Sequence, residues 1–209
     1  MAFLFCGNSI KPLSRKRKPQ DPCPECFLHK ERCICANFPI LNLKTRISLV
    51  IHAKELKRTT NTGRLALKAL INSEIRIRGK EHEALDLSDL LNSSYRTLLF
   101  YPSQNALELD EKLVNEDPRP IQLIVPDGNW RQASKVHYRH HELQGVPRVK
   151  ISTPNTAKFH IRAETTEAGM ATLEAIAQAL GIIEGIKVKE ILMDIYQKKL
   201  EATLLGRGT

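Results

Sequence analysis

Apolar residues recur along this chain in two rhythms. Short runs rich in β-branched residues predict strands at Arg46–His52 (RISLVIH), Glu74–Lys80 (EIRIRGK, alternating), Arg96–Ser103 (RTLLFYPS), Ile121–Val125 and Pro147–Ser152. The Ile121–Val125 run, with Ile121, Leu123, Ile124 and Val125 apolar, suits a strand covered on both faces. Helical spacing marks Arg64–Ile71, Ala106–Val114, Asn129–His141, residues 166–180 and Lys187–Leu204. Asp86–Asn92 reads as a helical turn. Asn61 or Thr60 is the expected N-cap of the first helix, and Gly181 the expected C-cap of the fourth. Gly63 in the first turn permits a close approach by a ligand or backbone. No internal repeat is present. Strands alternating with helices predict an α/β fold: a mostly parallel sheet with helices on both faces.

Where the two rhythms meet, at Ile121–His141, the chain turns from strand to helix through Pro126, Asp127 and Gly128. Open α/β sheets bind ligands outside the carboxyl ends of their strands. Asp127, Gly128 and Trp130 are therefore the first candidates for chemistry. Taken alone, the turn equally suits an Asp that caps a helix and a Trp that fills the core. Arg131, Lys135 and Arg139 follow at four-residue spacing on one helical face, the look of a large anionic substrate or of a solvated surface. A second strand-to-helix turn gathers His52, Lys54, Lys57, Arg58 and Arg64, and suits phosphate or carboxylate recognition. No GxGxxG opens a helix after the first strand and no GxxxxGK[ST] occurs, which argues against a dinucleotide fold and a P-loop nucleotidase.

Charge adds a partner. The 209 residues carry a formal +9, and residues 1–60 hold twelve Lys/Arg against four Asp/Glu. An excess concentrated in the first third points to nucleic acid or an anionic membrane surface. Residues 1–20, with Arg15, Lys16, Arg17 and Lys18 between two prolines, are expected to be a mobile basic arm, or else a solubilising tail. No run approaches the ~18 apolar residues of a membrane span. Met1–Cys6 is too short for a signal-peptide core, so a soluble, cytoplasmic protein is expected.

Cysteine spacing adds a metal. Cys23 and Cys26 form a CxxC, and Cys33 and Cys35 a CxC, all within thirteen residues. Four thiolates this close can converge on one ion, with zinc the usual occupant of a Cys₄ site. An iron–sulfur cluster uses the same ligand set, and a redox pair is the alternative for the CxxC. His29, Lys30 and Arg32 lie within the loop; His29 is a substitute ligand at most, and the cations suit an RNA-facing knob. Cys6 has no assigned role.

Four ordered motifs together resemble the DTW-domain family. DGNW at 127–130 fits its DxxW signature, and TNTGRL (Thr60–Leu65) its NTG segment. YPS (Tyr101–Ser103) is similar to its strand-end motif, and CxxC…CxC to its cysteine cluster. Arg162, Ala163 and Glu164, with the helix from Thr166 to Ala179, are similar to its C-terminal helix start. Pro126 stands where relatives often have an apolar residue, and Asn129 where Thr is usual.

The resemblance implies a tRNA-uridine aminocarboxypropyltransferase. Such enzymes move the 3-amino-3-carboxypropyl group of S-adenosylmethionine to N3 of a uridine and release 5′-methylthioadenosine. It also implies a fold similar to SPOUT methyltransferases, with a knotted site near the C-terminus. Asp127 is then the candidate base or uracil-orienting group, and Trp130 a stacking surface for uracil or adenine. Leu123, Val125, Pro126, Asp127, Gly128, Tyr101, Pro102, Ser103, Thr172, Leu173 and Glu174 are the candidate cofactor contacts. Asn61, Thr62, Gly63, Arg64, Arg131, Lys135 and Arg162 are candidate substrate or RNA contacts. Arg64 or Arg162 is the candidate partner of the cofactor carboxylate. The expected organisation is a basic arm at 1–20, a Cys₄ element at 21–44 and a catalytic domain at 45–209, with no obligate protein partner. Two other readings remain at this stage: a SPOUT-like RNA methyltransferase, and a zinc-containing RNA-binding protein without catalysis.

Overall fold

The computed structural model describes residues 21–80, 84–152, 161 and 170–206. Its centre is a six-stranded, all-parallel sheet in the order β2-β1-β5-β3-β6-β4. The strands are β1 Arg46–His52, β2 Ser73–Arg78, β3 Arg96–Phe100, β4 Leu107–Glu108, β5 Ile121–Asp127 and β6 Arg148–Lys150. The helices are α1 Gly63–Ala69, α2 Glu111–Asn115, α3 Trp130–Arg139, α4 Thr172–Ile183 and α5 Ile186–Leu205.

Alternation along the strands divides the molecule into two cores. Ile47, Leu49 and Ile51 of β1 and Ile121, Leu123 and Val125 of β5 face the larger one, with α1, α4, α5 and the cysteine segment. Val50, Ile124 and Leu99 face the smaller one, closed by Val136 of α3 and by Leu87, Leu90 and Leu143. Helices therefore cover both faces, as a parallel sheet requires. The connection β1–α1–β2 runs outward in one direction on one face. The connection β5–α3–β6 runs in the other direction on the opposite face. The adjacent carboxyl ends of β1 and β5 are thus the switch point at which such sheets leave a crevice.

Several elements differ from the sequence reading. Ala106–Val114 is not one helix: Leu107–Glu108 pairs with β6 as an edge strand. The helix starts only after Asp110, whose carboxylate accepts from the Leu113 amide at 2.8 Å. β5 does not stop at Val125 but continues through Pro126 and Asp127, which pair with Val50 and Ile51. α1 ends at Ala69, because Leu41 bridges to Leu70. Gly181 lies inside α4, not at its end. A Cβ there would come within 2.9 Å of the Lys189 Cβ, so this glycine serves the close packing of α4 on α5. Gly185, at φ +106°, makes the break between these two helices.

Residues 166–169 of the expected fourth helix lie outside the described residues, as do 1–20, Cys6, Arg162, Ala163 and Glu164. So does most of the passage from β6 to α4, which would define a knot. Among the described residues, no helix is long and apolar enough to cross a membrane.

Candidate functional site

The switch point is built around one carboxylate. Asp127 ends β5 with its side chain towards α1 and α4, and is 5% exposed. The Asn61 amide donates to its Oδ2 at 2.5 Å, and the Thr172 hydroxyl to its Oδ1 at 2.6 Å. The two donors come from the loop before α1 and the first residue of α4. A third bond closes the same corner, from the Leu173 amide to the Thr62 hydroxyl at 3.2 Å. Gly63 fits only because it has no side chain: a Cβ there would lie 2.9 Å from Asp127 Oδ2. The close approach expected at Gly63 is to this carboxylate. Thr62 occupies the N-cap of α1 without a side-chain bond, and Asn61 does the capping from one residue earlier: its Oδ1 accepts from the Arg64 amide at 3.4 Å while its amide holds Asp127.

Asp127 does not cap the following helix. Asn129 does, in a capping box: its side chain accepts from the Gln132 amide at 2.9 Å, and the Gln132 side chain accepts from the Asn129 amide at 2.8 Å. Gly128 precedes it at φ +155°, where a Cβ would meet the Gln132 side chain at 2.8 Å. Trp130 is not a core residue. It is 47% exposed and meets Tyr101 edge-on, with ring centroids 6.5 Å apart. Tyr101 stands just beyond β3, with Pro102 exposed beside it. The Ser103 hydroxyl oxygen is shielded from solvent and has no hydrogen-bond partner among the described residues. Leu123 and Val125 are buried in the strand, and Pro126 is half-buried. Leu173 and Glu174 are buried in the first turn of α4.

Positive charge collects at the same edge. Arg131 and Arg139 are exposed and Lys135 half-buried along α3. Arg78, at the end of β2, donates to the Gln132 carbonyl at 2.9 Å. Burial, and then Arg139, lower the Arg78 pKa. Burial lowers that of His52, and the charges of Arg78, Lys54 and Lys135 lower it further. His137 is lowered by burial and by Arg148, which donates to its Nε2 at 2.7 Å. In all three, burial is the larger cause and the neighbouring cations the smaller one. Arg64 is engaged elsewhere: it donates to the Leu56 carbonyl at 3.2 Å and stacks 5.1 Å from the Phe27 ring centroid. Of these, His137 is legible in the sequence as chargeable surface beside the turn, with His140 and His141, whereas Arg78 and Arg148 were missed and are brought to the edge by β2 and β6.

The cysteines converge as their spacing predicts. The four sulfurs of Cys23, Cys26, Cys33 and Cys35 lie within 4.8 Å of one another and form no disulfide. Contacts of 3.4, 3.8 and 3.9 Å link Cys33–Cys23, Cys26–Cys33 and Cys23–Cys35. Thiolates held 2.3 Å from a tetrahedral ion would be about 3.8 Å apart, so the cluster has the size to hold one metal ion. Burial raises the Cys23 thiol, but the amides of Cys26 and Glu25 and the neighbouring thiols outweigh it and bring it down to about 6. The tight turn puts Phe27 at φ +56°. The knob is not detached: Cys23, Cys26 and Leu28 belong to the larger core. Lys199 of α5, 1% exposed, donates its ammonium to the Cys26 carbonyl.

A sequence profile described as "DTW domain" matches residues 20–204. Three curated relatives carry the name tRNA-uridine aminocarboxypropyltransferase 2. Those of Macaca fascicularis and Mus musculus are each 27% identical over 175 residues, covering 81% of this chain and 58% of the relative. That of Drosophila melanogaster is 30% identical over 186 residues, covering 85% of this chain and 71% of the relative. The chain thus spans little more than half the length of the two mammalian proteins. No solved structure matches the chain.

Proposed function

The chain belongs to the DTW-domain family, and from that premise we propose that it is a tRNA-uridine aminocarboxypropyltransferase that uses S-adenosylmethionine. The observation that carries this reading is the buried Asp127 at the β1–β5 switch point, clamped by Asn61 and Thr172 three residues before the exposed Trp130 and the basic stripe of α3. A binding protein without chemistry has little use for a buried carboxylate held so closely at a switch point.

S-adenosylmethionine would supply an electrophilic carbon on its sulfonium. A bond forms from uridine N3 to that carbon, the carbon–sulfur bond breaks with its electron pair left on sulfur, and 5′-methylthioadenosine departs. The N3 proton must leave, and Asp127 is the group to take it or to orient the uracil for its loss. Trp130 would stack on a base. Leu123, Val125, Pro126, Asp127, Gly128, Tyr101, Pro102, Ser103, Thr172, Leu173 and Glu174 would hold the nucleoside, Leu123 and Val125 through their backbone alone because their side chains are buried in the larger core. The Ser103 hydroxyl, without a partner among the described residues, suits a polar ligand atom. Thr62 and Gly63 shape the floor, while Arg131 and Lys135 face the tRNA phosphates. Because Arg64 already holds Leu56 and Phe27, Arg162 is the better partner for the donor's carboxylate, although it lies outside the described residues. Cys23, Cys26, Cys33 and Cys35 would hold structural zinc. Residues 1–20 would form a basic arm, 21–44 the metal element and 45–209 the catalytic domain, in a cytoplasmic protein.

Incubation with unmodified tRNA and S-adenosylmethionine, followed by nucleoside mass spectrometry, tests the reading. A uridine heavier by about 101 Da is expected, and a gain of about 14 Da would make the protein a methyltransferase, since positioning alone selects the carbon attacked. No gain on any tRNA, with S-adenosylmethionine unbound, would overturn both.

A further inference from the structure

α3 carries two ridges side by side, and only the basic one follows from the charge pattern. Arg131, Lys135 and Arg139 make that ridge. Trp130, Ser134, His137 and Tyr138 occupy the neighbouring flank, at helical spacings of four, seven and eight. Tyr101, from the end of β3, completes it. The rings form a connected row: Trp130 to Tyr101 at 6.5 Å, Tyr101 to His137 at 6.3 Å, and His137 to Tyr138 at 4.7 Å between centroids.

The row is open to solvent at its ends. Trp130 is 47% exposed and Tyr138 70%, an unusual cost for two large rings unless something covers them. Its middle is fixed: Arg148 donates to His137 Nε2, and burial, followed by the Arg148 charge, lowers the His137 pKa and so favours the neutral ring. A neutral imidazole offers a π-face without adding charge. Short and ringed with cations, the row is poorly suited to an apolar protein partner. Aromatic faces beside a cationic track are what unpaired nucleic acid needs, with bases on the rings and phosphates on the charges. A duplex keeps its bases stacked on one another and cannot use the rings.

We propose that the Trp130–Tyr101–His137–Tyr138 row is a stacking platform for unpaired RNA nucleotides flanking the target uridine, with Arg131, Lys135 and Arg139 on their phosphates. The platform extends the transferase reading above and rests on it for the identity of the RNA. It explains why α3 leaves aromatic rings exposed away from Asp127. It also places the incoming strand along the helix, with the target base at the Trp130 end, nearest the switch point.

Trp130 is the chain's single tryptophan, so its emission reports the platform directly. The full-length protein is titrated with a uridine hexanucleotide and, separately, with an RNA duplex of equal phosphate count. The single strand is expected to quench Trp130 and the duplex to leave it largely unchanged. Tyr138→Ala should weaken single-strand binding about tenfold with the salt dependence unchanged, because stacking is not ionic. Tyr138→Phe should bind as the parent does. Lys135→Gln should instead lower the slope of log K against log salt by about 0.7. Equal quenching by the duplex, or parental binding by Tyr138→Ala, would overturn the platform and leave a merely electrostatic surface. The transfer assay separates the two readings. Quenching without transfer keeps the platform and sinks the reaction; transfer without quenching does the reverse.

Discussion

Asp127 answers to three segments at once, which makes it the most sensitive single position. In Asp127→Asn, one of the donors Asn61 and Thr172 would face an amide N–H instead of an oxygen. Loss of transfer is expected, with a fall in stability of about 1–3 kcal/mol; an active variant would remove Asp127 from the chemistry. Gly63→Ala offers a gentler probe, since its methyl would press on Oδ2 from 2.9 Å. Transfer should fall severalfold or more while tRNA binding, read by filter retention, changes little. The strand-to-helix turn, and then the DxxW motif, made Asp127 visible in the sequence. Its partners Asn61 and Thr172 were not visible as partners, because they stand 66 and 45 positions away and only the fold joins them. Asn129 took the capping role that the turn also allowed to Asp127. His52 and His137 give a pH signature. Both are harder to protonate in the fold than in the unfolded chain. Their contribution is present above the ordinary histidine range of about 6.5 and is lost as pH falls below it. His137→Gln should therefore flatten part of the fall in melting temperature on acidification.

Among elements, those with a long, regular pattern were read best. β1 has the boundaries its hydrophobic run predicts, and α3 and α5 fall within a residue or two of theirs. The two-residue β4 has no periodicity to read, and its existence depends on β6 lying beside it. β5 carries a proline through the middle of the sheet because position 126 pairs where the strand is ending, which local propensity cannot anticipate. Gly181 teaches the same lesson for helices: its reason lies on α5. Replacing it with Ala gains about 1 kcal/mol of helix propensity but drives a Cβ to 2.9 Å from Lys189, a clash of about 1–3 kcal/mol. Gly181→Ala should be neutral to mildly destabilising in urea, and Gly181→Leu clearly worse. A stabilised Gly181→Leu would show that α4 and α5 pack less closely than the structure has them.

Over the whole molecule, the cysteine spacing announced a knob able to hold a metal ion, but not that the knob is part of the core. Purified protein is expected to hold about one zinc per chain, measured by elemental analysis, and chelation should lower the melting temperature of the entire domain rather than of a separate piece. Protein that melts unchanged after metal removal would contradict this. The +9 charge was legible as a call for a polyanion, nucleic acid or an anionic membrane surface, whereas the gathering of Arg78, Arg139 and Arg148 at the carboxyl edge was not, since β2, α3 and β6 meet only in the folded sheet. The bond from Lys199 to the Cys26 carbonyl also sets a clock. The two residues are 173 positions apart; at ~5–20 residues per second, synthesis leaves the knob without its ammonium for roughly 10–35 s. During that interval the turn has its local backbone bonds, Cys23 to Leu28 and Phe27 to Cys23, and whatever ion the thiolates hold to keep it closed. A nascent chain halted before α5 should therefore depend on metal supply more sharply than the finished protein. Equal resistance of the two to a chelator would show that the knob is complete before the last helix is made.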